Sequence, residues 1–182
     1  MSARNWKIIS RTTLFTNDHW TYKLDKFQHE DGTGDEYHYV HTLGSTMVIP
    51  VTHEDKFLLV SQFRYLNQKE SLEFPCGGVE KDLSPEENAM KELREETGYA
   101  AKNLKLIGSF APFTGACDEI CNVYIATELY ESLLPKDKTE EGMELLTVDL
   151  DELQRLIDEN IIWDGLTLAA WSLAKKHFIN IK

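Results

Sequence analysis

Residues 77–99 read GGVEKDLSPEENAMKELREETGY, and the boundaries of one helix can be placed within them. Ser84 followed by Glu87 is a capping box: the serine hydroxyl takes a backbone N–H of the first turn and the glutamate reaches back to the cap. Pro85 falls at the first helical position, where its missing N–H costs nothing, and Gly98 suits the left-handed residue that ends a helix. The predicted helix therefore spans 85–97. On its wheel Ala89, Met90, Leu93 and Thr97 gather on one side, and Glu92, Glu95 and Glu96 lie on an arc more than 90° away. Like charges three or four residues apart cost a helix about 0.2–0.5 kcal/mol per pair. They also sit in the last turn, at the negative end of the macrodipole. Helix stability does not ask for this arrangement.

Two readings fit it. Glutamate-rich helices are commonly only solvated faces. A glycine pair at PCGGV (75–79) just upstream, which lets backbone approach another group closely, fits instead an all-oxygen site for a hard divalent cation. Mg²⁺ takes a few carboxylates together with water and phosphate oxygens, and Mn²⁺ accepts the same ligands.

Outward from this helix the chain reads as α+β. Residues 6–15 and 19–28 mix β-branched and aromatic residues with polar ones around a turn at Thr16–Asp18, and HEDGTGDE (29–36) is a hairpin tip before a strand over 37–43. Together they form an N-terminal antiparallel β lobe over 1–44, with the main domain over 45–182. MVIPV (47–51) and FLLVSQFRY (57–65) are expected to form a buried hairpin, and SLEFP (71–75) a short strand. Strands at 104–113, 121–129 and 143–150 follow the helix, with a charged loop at 130–142. Two helices, near 151–159 and 166–178, close the chain.

The 182 residues suffice for one domain with a modest extra lobe, and a chain of this size needs no staples to hold its core. A formal charge of −12 argues against a nucleic-acid partner, because phosphate backbones demand basic surface. Cys76, Cys117 and Cys121 form no C-x-x-C pair, so neither a disulfide framework nor a four-ligand zinc site is expected. They read as reduced thiols of a cytoplasmic protein. No apolar run approaches membrane-spanning length, and MSARNWKIIS lacks the apolar core of a signal peptide. The six histidines form no evident ligand cluster.

The stretch 77–99 resembles the signature of the Nudix hydrolases, G-x5-E-x7-R-E-U-x-E-E-x-G-U, where U is bulky and apolar. With Gly77 first, Glu92, Leu93, Glu95, Glu96, Gly98 and Tyr99 fall on the family positions without a gap, while Leu83 replaces a glutamate and Lys91 an arginine. In the family those two braces tie loop to helix, and that bridge cannot form here in the usual way. VSQFRYLNQKESLEFPCGGVE (60–80), Pro112, the acidic loop at 139–143 and DGLTLAA (164–170) further resemble the ADP-ribose pyrophosphatases. The resemblance implies a Nudix α/β/α sandwich with an N-terminal β lobe that mediates a homodimer.

It also implies a reaction and a set of roles. The reaction is metal-dependent hydrolysis of the diphosphate of ADP-ribose, giving AMP and a sugar phosphate. Rival readings are a pyrophosphatase for GDP-mannose or a dinucleotide, and a non-catalytic sensor that binds ADP-ribose. Glu92, Glu95, Glu96 and the backbone carbonyl of Cys76 would hold Mg²⁺ or Mn²⁺. Glu140 or Glu141, or Glu95 on the helix, would activate water. Arg64 would clamp the diphosphate, with a surface ion pair as its alternative, and Glu119 would bind ribose or a metal-bound water. Trp6, Trp20 and Tyr22 would stack on a purine, or else serve core and interface.

Overall fold

The computed structural model describes residues 5–134 and 142–178. Its strands are β1 (Lys7–Thr16), β2 (Thr21–Gln28), β3 (Gly34–His41), β4 (Ser45–Pro50), β5 (Phe57–Arg64), β6 (Lys69–Glu73), β7 (Cys76–Gly78), β8 (Tyr99–Phe110), β9 (Cys121–Glu131) and β10 (Glu144–Val148). The helices are α1 (Pro85–Thr97), α2 (Leu150–Asp158) and α3 (Gly165–Ala174), the last continued by a 3₁₀ turn at Lys175–His177. Among these residues no helix is long and apolar enough to cross a membrane.

The organising element is β4, whose six residues are all buried. It lies inside the four-stranded sheet β7-β4-β9-β8, antiparallel to β7 and parallel to β9. Alternation along its pleat sends successive side chains to opposite faces. Met47, Ile49 and Val51 join Cys121, Val123 and Ile125 of β9 in a core covered by Leu153 and Leu156 of α2 and by Ala170, Trp171 and Ala174 of α3. Val48 joins Tyr124 and Ala126 on the other face, where Ala89 and Leu93 of α1 cover them. Helices on both faces of a sheet whose central strand is buried throughout make an α/β/α sandwich. A second sheet, β10-β5-β6, contributes Phe57 and Leu59 to the first of these cores.

The expected hairpin of 47–51 with 57–65 does not form. β5 pairs with β6 and β10, and only a single bridge, Val51 to Phe57, joins the two stretches. Both segments are apolar enough to be central, so each takes neighbours on both sides, β4 from β7 and β9 and β5 from β6 and the distant β10, and the turn between them carries the chain from one sheet to the other. β7 is also new: three residues with two glycines have little intrinsic strand preference, and they pair only because β4 offers an edge.

β1, β2 and β3 form a separate antiparallel sheet in chain order. The β1–β2 turn is fixed by Asn17, whose side-chain oxygen accepts the N–H groups of His19 and Trp20, both at 2.9 Å. This sheet joins the body at the segment before β9. Val40 N–H donates to Ala116 O at 2.8 Å, Asp118 N–H donates to Val40 O at 3.1 Å, and His41 Nδ1 meets Asp118 Oδ2 at 2.7 Å.

Candidate active site

α1 begins and ends where its sequence directs. Ser84 Oγ accepts from Glu87 N–H at 3.3 Å, Glu87 Oε2 accepts from Ser84 N–H at 2.9 Å, and Gly98 closes the helix at φ 77°. These caps set the rotation of the helix, and with Ala89 and Leu93 in the core the glutamates turn toward β7.

The contact between β7 and α1 is the centre of the site. Val48 N–H donates to Pro75 O at 2.9 Å, so the next pair, Met47 with Cys76, is a non-hydrogen-bonded one in the antiparallel alternation. Cys76 therefore turns its backbone groups away from β4, and its N–H donates to Glu96 Oε2 at 3.1 Å. At the next residue a Cβ on Gly77 would lie inside 3.0 Å of the three carboxylate atoms of Glu92. Only a glycine admits that carboxylate. Glu92 and Glu96 are 7% and 5% exposed, so two acidic groups sit nearly buried on a glycine strand.

Glu95 behaves differently. Its carboxylate is taken by the Lys91 ammonium, which also meets Glu80 Oε1 at 3.2 Å. Burial alone would push the Lys91 ammonium down, but the hydrogen bonds to Glu95 and Glu80 and the charges of Glu92 and Glu95 more than reverse this, and its pKa is raised. Among the described residues no three His, Cys, Asp or Glu side chains gather into a complete metal cage. The donors present fit a hard cation that takes two carboxylates and fills its shell with backbone, water and phosphate oxygens. The Cys76 thiol does not compete for that role. Its hydrogen bond to Cys121 and its burial push its pKa well above the usual thiol value, so it remains a protonated packing group.

The other expected site residues separate. Arg64 Nε donates to Glu73 Oε1 at 2.7 Å, and its Nη2 pairs with Glu73 Oε2. Glu73 has no exposed side-chain surface and Arg64 is 38% exposed, so the guanidinium neutralises a buried carboxylate, which is not the surface pair weighed from the sequence. Glu119 Oε1 accepts from Ser45 Oγ at 2.6 Å, and Ser45 is the register partner of Gly78. Glu119 is thereby tied to the end of the glycine strand. It also lines a cavity of about 630 Å³ between the N-terminal sheet and the segment before β9. Trp6, Phe27 and Tyr39 furnish its aromatic wall, with Trp6 stacked on Phe27 at a centroid distance of 5.0 Å. Trp20 is not among the lining residues; it stands beside Phe15 at the β1–β2 turn. Glu140 and Glu141 lie outside the described residues.

Sequence reasoning passed over Ser45, Asn88 and Glu80. Asn88 carried no distinct signal, since on the helical wheel it falls between Glu95 and Glu92 on the polar side of α1. Ser45 carried none, because its role depends on the pairing of β4 with β7.

Two nearly buried helix carboxylates thus lie against a glycine strand, on a helix capped as its sequence directs. The NUDIX domain pattern matches residues 41–168 of the chain. The chain belongs to the NUDIX family. Within that family it is 31% identical over 173 residues to an ADP-ribose pyrophosphatase of Bacillus subtilis (strain 168), covering 93% of this chain and 92% of that protein. It is 32% identical over 171 residues to a methanol dehydrogenase activator of Bacillus methanolicus, covering 90% and 92%. Its NUDIX fold superposes on a crystal structure of an ADP compounds hydrolase with a TM-score of 0.84 at 20% identity, over 97% of this chain and 96% of that one.

Proposed function

We propose that this chain hydrolyses the diphosphate linkage of ADP-ribose or a related nucleoside diphosphate sugar, releasing AMP or another nucleoside monophosphate and a sugar phosphate. The observation that carries the reading is the pair of nearly buried carboxylates, Glu92 and Glu96, held on the glycine strand by Gly77 and the Cys76 N–H. Support for the substrate class comes from the similar ADP-ribose pyrophosphatase.

Glu92, Glu96, the Cys76 carbonyl and Glu95 would hold Mg²⁺ or Mn²⁺. Such a cation, when bound, supplies neutralisation of diphosphate charge and acidification of water. The chain's own residues supply the rest. The cavity beside Glu119 receives the nucleoside, with Trp6 and Tyr39 as stacking and edge surfaces and Glu119, oriented by Ser45, accepting from ribose hydroxyls. Trp20 serves the substrate only if a second copy brings it there. Arg64 reaches a diphosphate oxygen only with the nitrogen that Glu73 does not take. Glu141 or Glu140 acts as the general base, with Glu95 as the candidate on the helix.

The N-terminal lobe over 1–44 forms a homodimer. All ten residues of β1 are exposed, including Ile8, Ile9, Leu14 and Phe15, apolar side chains that a second copy would cover. The acidic, cysteine-poor chain suits the cytoplasm.

The test is hydrolysis of ADP-ribose with Mg²⁺ or Mn²⁺ beside GDP-mannose and NADH, following AMP and other products by chromatography. Metal-dependent AMP release supports the reading. Tight ADP-ribose binding without turnover makes the chain a sensor instead, and GDP-mannose as the preferred substrate moves it to another nucleotide sugar.

A further inference from the structure

The signature departs from its family at Leu83 and Lys91, yet the loop between β7 and α1 is tied down. Val79 N–H donates to Gly44 O at 2.9 Å. Glu80 N–H donates to Asn88 Oδ1 at 3.1 Å, and the fully buried Asn88 passes its own amide to Thr46 Oγ1 of β4 at 2.9 Å. The loop backbone at Glu80 is thus fixed to helix and sheet together. From that anchored position the Glu80 carboxylate reaches Lys91 Nζ at 3.2 Å, and the same ammonium grips Glu95 one turn further along.

We propose that Glu80 and Lys91 form this chain's own brace between the glycine loop and the helix, and that through Lys91 the brace positions Glu95 for cation binding beside Glu92 and Glu96. Glu80 stands three residues before Leu83, where the family has its bracing glutamate, so the acidic end of the brace has moved along the loop while its helix end has stayed. The proposal rests on the hydrolase reading above, because it assigns Glu95 to the cation.

An exposed lysine–carboxylate pair commonly contributes little, since two long side chains must be ordered to make it. Three observations set this one apart. The Lys91 side chain is only 26% exposed, Glu80 is held at its backbone by a buried asparagine, and one ammonium serves two carboxylates that come from different elements. The Glu80 side chain is itself 56% exposed, so the ordering cost of the bridge falls mainly on that one side chain. The raised pKa of Lys91 agrees with an ammonium held between two acceptors. Glu80 and Lys91 are positioning residues; neither is assigned contact with substrate.

The experiment measures Mn²⁺ affinity by the electron paramagnetic resonance signal of free Mn²⁺, without substrate, in the full chain and in Glu80→Gln. It also follows amide hydrogen exchange across residues 79–83. Glu80→Gln should weaken Mn²⁺ binding about three- to tenfold, at or below the low end for groups that orient metal ligands, and should speed exchange in the loop several-fold. A charge acting only through space would lower affinity and leave exchange unchanged. Adding Leu83→Glu to Glu80→Gln places a carboxylate at the family's position and should restore both. Unchanged affinity in Glu80→Gln, unchanged exchange, or no recovery in the double variant overturns the brace. Should the double variant not fold, Glu80→Asp takes its place: it keeps the charge and should retain most of the affinity, and a loss as large as that of glutamine overturns the brace equally. If the unmodified chain binds no Mn²⁺, the hydrolase reading falls and the brace with it, a result separable from a wild-type chain that binds and a variant that does so equally well.

Discussion

Substituting alanine for Gly77 tests the centre of the site with a single methyl group. The new Cβ would stand inside 3.0 Å of Glu92's carboxylate carbon and both of its oxygens, closer than non-bonded atoms tolerate. To regain ordinary contact the carboxylate must retreat by on the order of 1 Å. It is the far end of a flexible side chain, so it can swing away, and Gly77 has no left-handed backbone to strain. The expected cost in stability is small, about 1–2 kcal/mol, at the low end for overpacking. The expected cost in function is large, because a displacement near 1 Å of a positioning group lowers turnover roughly 100-fold. Gly78→Ala is the control: a Cβ there meets nothing within 4 Å, and both variants remove one glycine from the same strand. The assay is metal-dependent ADP-ribose hydrolysis beside thermal unfolding. A folded Gly77→Ala protein with turnover within about threefold of the parent would refute the placement of Glu92 as a working ligand. Equal losses in both variants would show that strand flexibility, and not the carboxylate, was disturbed.

Further expectations concern other parts of the molecule. Glu96→Gln keeps an acceptor for the Cys76 N–H but removes the charge, so it should abolish metal-dependent turnover while the circular dichroism spectrum and melting temperature hold; turnover in that variant would remove Glu96 from the ligand set. Arg64→Met strands the buried Glu73 carboxylate and should destabilise by about 2–3 kcal/mol in urea unfolding, below the usual figure for a broken buried pair because Arg64 is itself partly exposed. Adding Glu73→Gln should recover much of that loss, and a double variant as unstable as the single would deny the pair its role. Ser84→Ala should cost about 1 kcal/mol. It should also flatten the acid limb of the stability curve: the Ser84 hydroxyl and backbone hold the Glu87 carboxyl below its ordinary 4.5, a contribution present above that value and lost as pH falls through the lowered one. An acid limb unchanged in the variant would contradict this.

The parts of the molecule legible in the sequence are those whose causes are local. The boundaries of α1 follow from Ser84, Pro85, Glu87 and Gly98, each acting within a turn of itself, and the core face follows from Ala89 and Leu93. The strands of the N-terminal lobe follow from composition and turn residues. What escaped has distant causes. β4 and β5 look like the arms of a hairpin because both are short and apolar, and nothing near them states that β4 belongs with Cys121–Ala126 and β5 with Glu144–Val148. β8 starts at Tyr99, straight after the helix cap, because Ala100 and Ala101 pair with Tyr130 and Leu129 at the far end of β9. The site divides in the same way. Glu92 and Glu96 are legible from the signature. That Trp6 and not Trp20 lines the cavity, and that Lys91 finds Glu80, depends on register and loop path, which composition does not encode.

The parallel pairing of β4 with β9 also sets an order of events during synthesis. Ser45 must find Cys121, which leaves the ribosome after β7, α1 and β8 are already made. Until β9 arrives, β4 lacks the neighbour on its inner side, and the edge that receives Cys76–Gly78 belongs to no sheet. The nascent helix can take its capped form early, since its signals are local, but its carboxylates then face water and not a glycine strand. Long-range parallel pairs are slow to close, so the glutamates meet their glycine strand late, and a helix of 13 residues is marginal on its own until then. The step that turns it into a site is the docking of a strand that contributes no ligand of its own.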